Sequence, residues 1–178
     1  MADTWNALIE DCLVVQTRLP FAWVPGGALE GSRQDACVRQ LELLYGFEDA
    51  RAELVDEING STQESVLQRM ESKLDFAMEM LGSLVMMQRP PPASLAMDLC
   101  SSGLRLHACD AFKPGSGLVR LHLNAMVPEA LQIDARMHQD SERGPVFMFE
   151  NQSAQLKSLI ERAIFKIHRR SIAAARKG

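Results

Sequence analysis

The chain has 178 residues, a hydrophobic fraction of 47% and a net charge of −4, which suits one domain or a domain carrying a large insertion. No apolar run is long enough to span a bilayer, and the start Met-Ala-Asp-Thr-Trp lacks the basic and apolar regions of a secretory signal. Cys12, Cys37, Cys100 and Cys109 match no disulfide framework or zinc spacing, so they read as reduced thiols of a cytoplasmic protein.

The first element is an extended strand. Residues 12–24 are rich in β-branched and aromatic side chains, contain Pro20, and end at Pro25, Gly26 and Gly27. A helix follows, with Val38, Leu41, Leu44 and Tyr45 on one apolar face that Leu54, Val55 and Ile58 continue past Gly46. Asn59 and Gly60 supply its stop, and Ser61 with Glu64 fits a capping box for a second helix. Two helices joined by so short a turn pair as an antiparallel hairpin.

In that second helix Leu67, Met70, Leu74, Ala77, Leu81 and Leu84 recur at 3-4 spacing and keep one apolar seam on one side. Arg89 followed by Pro90, Pro91 and Pro92 ends it, because proline supplies no amide and biases its predecessor away from the helix. At about 26 residues it is about 39 Å long. Val66, Met78, Met80 and Val85 widen the stripe beyond a two-stranded seam. Two arrangements fit that width: a bundle of several copies, or a helix packed against its own domain.

Beyond the prolines the period becomes two. Leu95, Met97 and Leu99 alternate with Ser94, Ala96 and Asp98, and a tight Cys100-Ser101-Ser102-Gly103 segment leads to Leu104, Leu106 and Ala108. Gly115 and Gly117 punctuate before a strand from Leu118, in which Leu121 and Leu123 alternate with Arg120 and His122. Leu131, Ile133, Ala135 and Met137 mark another strand, and Gly144 and Pro145 precede Val146-Phe-Met-Phe. Four or five such strands describe a small antiparallel barrel or sandwich. A helix from about Ser153 to Ala174 closes the chain, with Leu156, Leu159, Ile160, Ala163, Ile164 and Ile167 as its buried face.

Charge is unevenly spread. Glu42 to Asp75 carries a net −6 and Lys157 to Lys177 a net +6. A basic helix end reads first as a solvated face that complements the helix dipole. It lacks the interleaved aromatics of a nucleic-acid surface.

Asp98-Leu-Cys-Ser-Ser-Gly-Leu-Arg-Leu resembles the second signature of PilZ domains: an acidic residue, a serine position two residues on, then Gly. The stretches Pro145-Val-Phe-Met-Phe-Glu-Asn and Ala163-Ile-Phe-Lys-Ile-His-Arg-Arg fit the same family, and the likeness spans about residues 89–170. Leu13-Val-Val-Gln-Thr-Arg-Leu-Pro-Phe is similar to the family's opening strand. The resemblance implies an α+β fold: a small antiparallel β-barrel with an inserted long helical hairpin and a C-terminal helix. Residues 1–30 and 89–178 would form the barrel and last helix, and 31–88 the oligomerising insertion. The arrangement resembles the atypical, oligomeric PilZ proteins of xanthomonads and relatives, in which long heptad-bearing helices hold several barrels together. They imply a cytoplasmic homo-oligomer, a tetramer, assembled through helix 61–88.

The family's ligand is cyclic di-GMP. Its receptors hold the phosphates with an Arg-x-x-x-Arg pair, because a planar guanidinium meets phosphate bidentately. The Asp and Ser of the second signature address a guanine edge, and the Gly admits the backbone. By that resemblance the ligand-binding candidates are Asp98, Cys100, Gly103 and Arg89. Cys100 stands at the Ser position, and a thiol is a weak hydrogen-bond partner. No Arg-x-x-x-Arg precedes the signature: Arg89 stands alone, Arg33 and Arg39 are six apart, and Arg18 lies on the first strand. Each lost charge-assisted contact removes about 1.5–3 kcal/mol. The expectation is weak or no binding in the usual mode, and a signalling adaptor that works through other proteins. The alternative is a receptor whose arginines come from a neighbouring subunit.

Asp98 to Gly103 also reads simply as a tight turn between strands. His107, Cys109 and Asp110 lack further ligands at zinc spacing. No nucleophile elbow, Walker loop or Rossmann loop appears. The reading is therefore non-enzymatic, with no metal.

Overall fold

A computed structural model describes residues 4–10, 12–29, 31–57, 70, 73–74, 76–77, 80–82, 84, 87–88, 90–107, 112–124, 127, 129–140 and 144–175. A short helix α1 (Thr4–Ile9) precedes strand β1 (Val15–Pro25) and helix α2 (Gly31–Glu57). Five strands follow: β2 (Ser94–Cys100), β3 (Gly103–Leu106), β4 (Gly115–Leu121), β5 (Leu131–Asp140) and β6 (Gly144–Phe149). Helix α3 (Ala154–Ala175) ends the described chain.

The six strands close a barrel in the order β1-β2-β3-β6-β5-β4, and every pairing is antiparallel. Closure rests on β1, which serves two neighbours in turn. Val15 to Pro20 pairs with β2, and Phe21 to Pro25 pairs with β4. Pro20 stands at the hand-over. It has no amide to give, while its carbonyl accepts from the His122 amide at 3.2 Å.

Period-two alternation sends Phe21, Trp23, Met97, Leu99, Leu104, Leu106, Val119, Leu121, Ile133 and Phe147 into one buried core. Phe21, Trp23, Phe112 and Phe147 meet edge to face there, with ring centroids 5.1–6.0 Å apart, the geometry that aromatic quadrupoles favour. Helix α3 covers the barrel with Leu156, Leu159, Ile160, Ala163 and Ile164, the face that its 3-4 spacing anticipated. Ser153 caps it, accepting from the Leu156 amide at 3.1 Å. The first half of α2 joins the same core through Cys37, Leu41 and Tyr45. Tyr45 gives its carbonyl to Arg162 at 3.0 Å and its ring to Arg162 and Lys166.

Both α2 and the helical residues described between 70 and 88 enter the chain between β1 and β2. The anticipated stop at Asn59-Gly60 and the capping box at Ser61 and Glu64 lie outside the described residues.

Two features depart from the sequence reading. Helix α1 was not anticipated. And β4 starts at Gly115, so the two glycines expected to punctuate before the strand are part of it. Gly117 has a packing reason: a β-carbon there would stand 2.5 Å from the Val24 carbonyl oxygen and 2.8 Å from the Trp23 ring. The indole takes the volume that a side chain would need. Gly117→Ala is expected to lower stability by about 1–3 kcal/mol through overpacking, read as a lower urea midpoint at unchanged slope.

Candidate functional site

The signature segment 98–103 is a β-hairpin whose two-residue turn fixes its register. Cys100 faces Gly103, Leu99 faces Leu104, and Asp98 faces Arg105. Directly opposed residues share a face, so the Asp98 carboxylate and the Arg105 guanidinium meet on the outside of the barrel. Arg105 donates to Asp98 Oδ2 from Nη2 at 2.5 Å and from Nε at 3.1 Å. His107 Nε2 donates to Oδ1 at 2.7 Å. Both oxygens of the carboxylate are therefore occupied from within the chain.

Asp98 is only 3% exposed. Burial by itself would raise its pKa, but the hydrogen bonds and charges of Arg105 and His107 outweigh it. The net effect holds the carboxyl below its ordinary range. The Arg105 guanidinium stands over the ring of Trp5 of α1, with its carbon 5.0 Å from the ring centroid. Trp5 also packs on Cys100 and Val146, and Leu8, Ile9, Cys12 and Val14 surround that second small core. Helix α1 thus covers the signature hairpin.

Cys100 is completely buried in that cluster. Gly103 is a point of close approach, but to the protein's own backbone. A β-carbon there would stand 2.4 Å from the Phe147 carbonyl oxygen, where β3 pairs with β6. The turn between them is also engaged. Gln152 donates to the Ser101 carbonyl at 3.1 Å, and the Phe149 amide to the Ser102 carbonyl at 2.9 Å.

Arg89, the remaining ligand candidate, lies outside the described residues. Arg18 is exposed on the outer face of β1, opposite Ala96, and donates to the Ser94 carbonyl at 3.3 Å. Arg39 is exposed on α2. Among the described residues, no group of three or more His, Cys, Asp or Glu could hold a metal ion, and no helix is long and apolar enough to cross a membrane. The pairing of Asp98 with Arg105 escaped the sequence reading, although counting outward from Ser101-Ser102 places them opposite each other.

The heptad stripe is placed at five of its six positions. Met70, Leu74, Ala77, Leu81 and Leu84 are helical and exposed, Leu74 at 66% and Leu81 at 58%; Leu67 lies outside the described residues. Phe76, Met80 and Met87 are exposed as well. Monomeric proteins seldom leave so many large apolar side chains in water.

A family model described as "atypical PilZ domain, cyclic di-GMP receptor" matches residues 41–177. A solved structure is similar over 94% of each chain, with 28% identity and a TM-score of 0.67. It is a tetrameric PilZ domain of a pathogenic protein from Xanthomonas campestris, self-assembled via an unusual helical bundle. No curated protein matches the chain.

Asp98→Asn should cost about 1.5–3 kcal/mol at neutral pH, since hydrogen bonds to a charged group are lost. The pH dependence follows from the lowered pKa. Stability from the carboxylate is present above the ordinary value of about 3.9 and is lost as pH falls through the folded value. The gap between parent and variant should therefore hold steady above pH ~5 and narrow below pH ~4, measured by urea denaturation across that range.

Proposed function

The chain belongs to the atypical PilZ domain family, a family of cyclic di-GMP receptors, and on that basis we propose that it is a non-enzymatic adaptor of bacterial cyclic di-GMP signalling. In this reading its own nucleotide motif serves the fold, and it self-assembles through the helix at 61–88. One observation carries the first part: Asp98, the signature residue that would meet a guanine, has both oxygens committed to Arg105 and His107. A nucleotide there would have to break those contacts and lift α1 with Trp5. The chain offers no Arg-x-x-x-Arg in return. Differential binding energy of that size has no source in the remaining candidates, Cys100, Gly103 and Arg89.

Assembly is supported by the exposed stripe at Met70, Leu74, Ala77, Leu81 and Leu84, and by the likeness to a tetrameric PilZ domain built on a helical bundle. On this reading residues 1–30 and 89–178 form the barrel unit and 31–88 the assembling insertion. The first half of α2 is shared between them, because Cys37, Leu41 and Tyr45 lie in the barrel core. The oligomer, a tetramer, would present several barrels to partner proteins of the signalling pathway in the cytoplasm.

Isothermal titration of the full chain with cyclic di-GMP should show no saturable heat. Tight, stoichiometric binding would instead favour a receptor completed by arginines of a neighbouring subunit. Assembly is tested separately. Leu74→Asp combined with Leu81→Asp puts charges into a buried seam at several kcal/mol each, so sedimentation velocity should report smaller species with unchanged circular dichroism of the barrel. Wild-type protein that already sediments as a monomer would defeat the assembly.

A further inference from the structure

Two of the cysteines meet where α1 joins β1. Cys12 follows α1, and its amide closes that turn by donating to the Ile9 carbonyl at 3.2 Å. Its Sγ stands 3.4 Å from Ser101 Oγ and 3.6 Å from Ser102 Oγ. Cys12 packs against the small core that holds Cys100, and the two hydroxyls that its sulfur meets belong to the residues directly after Cys100. We propose that Cys12 and Cys100 are a thiol-oxidation site: on meeting hydrogen peroxide they form a disulfide that fastens α1 to the β2–β3 hairpin.

The two sulfurs differ in the way this chemistry needs. Cys12 is half-buried, so a small oxidant reaches it. Cys100 is wholly buried. The Ser101 hydroxyl lowers the Cys12 pKa most; burial opposes it, and Ser102 and the Lys157 charge lower it further. Burial pushes the Cys100 thiol up to about 11. The thiolate, which is the nucleophile, thus resides on the sulfur that solvent can reach.

The steps balance. Cys12 thiolate attacks one peroxide oxygen, the O–O bond breaks, hydroxide leaves and takes a proton as water, and Cys12 becomes a sulfenic acid. The Cys100 sulfur then attacks the Cys12 sulfur. An S–S bond forms, the S–O bond breaks, and the departing hydroxide leaves as water with the Cys100 proton. Two thiols supply the two electrons that reduce one peroxide to two waters. Cys37 is the built-in control. It is fully buried, donates to the Glu129 carbonyl at 3.4 Å and has its pKa pushed up to about 12 by burial.

The test uses the full-length reduced protein at neutral pH. It is treated with a small excess of hydrogen peroxide, unfolded in urea and blocked with N-ethylmaleimide, digested without reductant and mapped by mass spectrometry. The expected result is a Cys12–Cys100 cross-linked peptide, an intact mass lower by two hydrogens, and Cys37 still alkylated. Cys12→Ser should abolish the cross-link and leave Cys100 alkylatable on unfolding. The proposal is overturned if Cys12 ends as a free thiol, as sulfinic or sulfonic acid, or joined to any sulfur other than its own chain's Cys100.

Discussion

A carboxylate withdrawn from water is the constraint around which this fold is arranged. Asp98 sits on the outward face of a barrel strand, where water would ordinarily solvate it, yet it is almost fully covered. Effective penalties for such a charge run to several kcal/mol unless hydrogen-bonded counter-charges replace the lost water. Arg105 on β3 and His107 just past its end do so, in the register that the two-residue turn sets. That register in turn sets Gly103 against the Phe147 carbonyl and so admits β6 as the next strand. Trp5 then finds a cation to lie on, which fixes where α1 rests. The ion pair and the register it shares thus tie four elements together.

Much of this order is legible in the chain. The strands after the prolines and the last helix follow from alternation and 3-4 spacing, and β1 was expected to close the barrel. What escaped did so for identifiable reasons. Helix α1 has six residues, too few for a periodic signal, and its stability comes from Trp5 meeting a surface built much later in the sequence. Gly115 and Gly117 look like breakers because glycine weakens a strand. Here the Trp23 indole fills the space beside Gly117, a contact that no local window contains. The Asp98–Arg105 pair needed only a count outward from a two-residue turn. The likeness to a ligand signature assigns Asp98 to a guanine edge instead.

Helix α3 and the helical residues described between 70 and 88 carry the same kind of apolar pattern and meet different fates. On α3 the stripe from Leu156 to Ile164 is sealed by barrel and α2. On the other helix Met70, Leu74, Leu81 and Leu84 stay in contact with water in the single chain. Periodicity reports that a helix has a face; it does not say what covers that face. The distinction comes from topology. Helix α3 follows β6 directly and falls back on the barrel, whereas the helical residues described between 70 and 88 lie between β1 and β2, with no strand among the described residues of that segment. In the proposed assembly those side chains would be covered by other copies, and burial of each large one is worth about 1.5–3 kcal/mol.

The signature residues divide according to whether the fold itself needs them. Asp98 keeps the hairpin in register, and Gly103 lets two strands approach. Either would be retained in a protein that never meets a nucleotide. Their presence is therefore weak support for binding. The informative positions are those for which the barrel has no use of its own: the paired arginines and the hydroxyl two residues after the acid. In this chain the arginine pair is absent, and the hydroxyl position holds Cys100, whose side chain has become core under Trp5. On the proposed adaptor reading, the departures from the signature fall at the positions that only a ligand would require, while the positions that the barrel itself uses are kept.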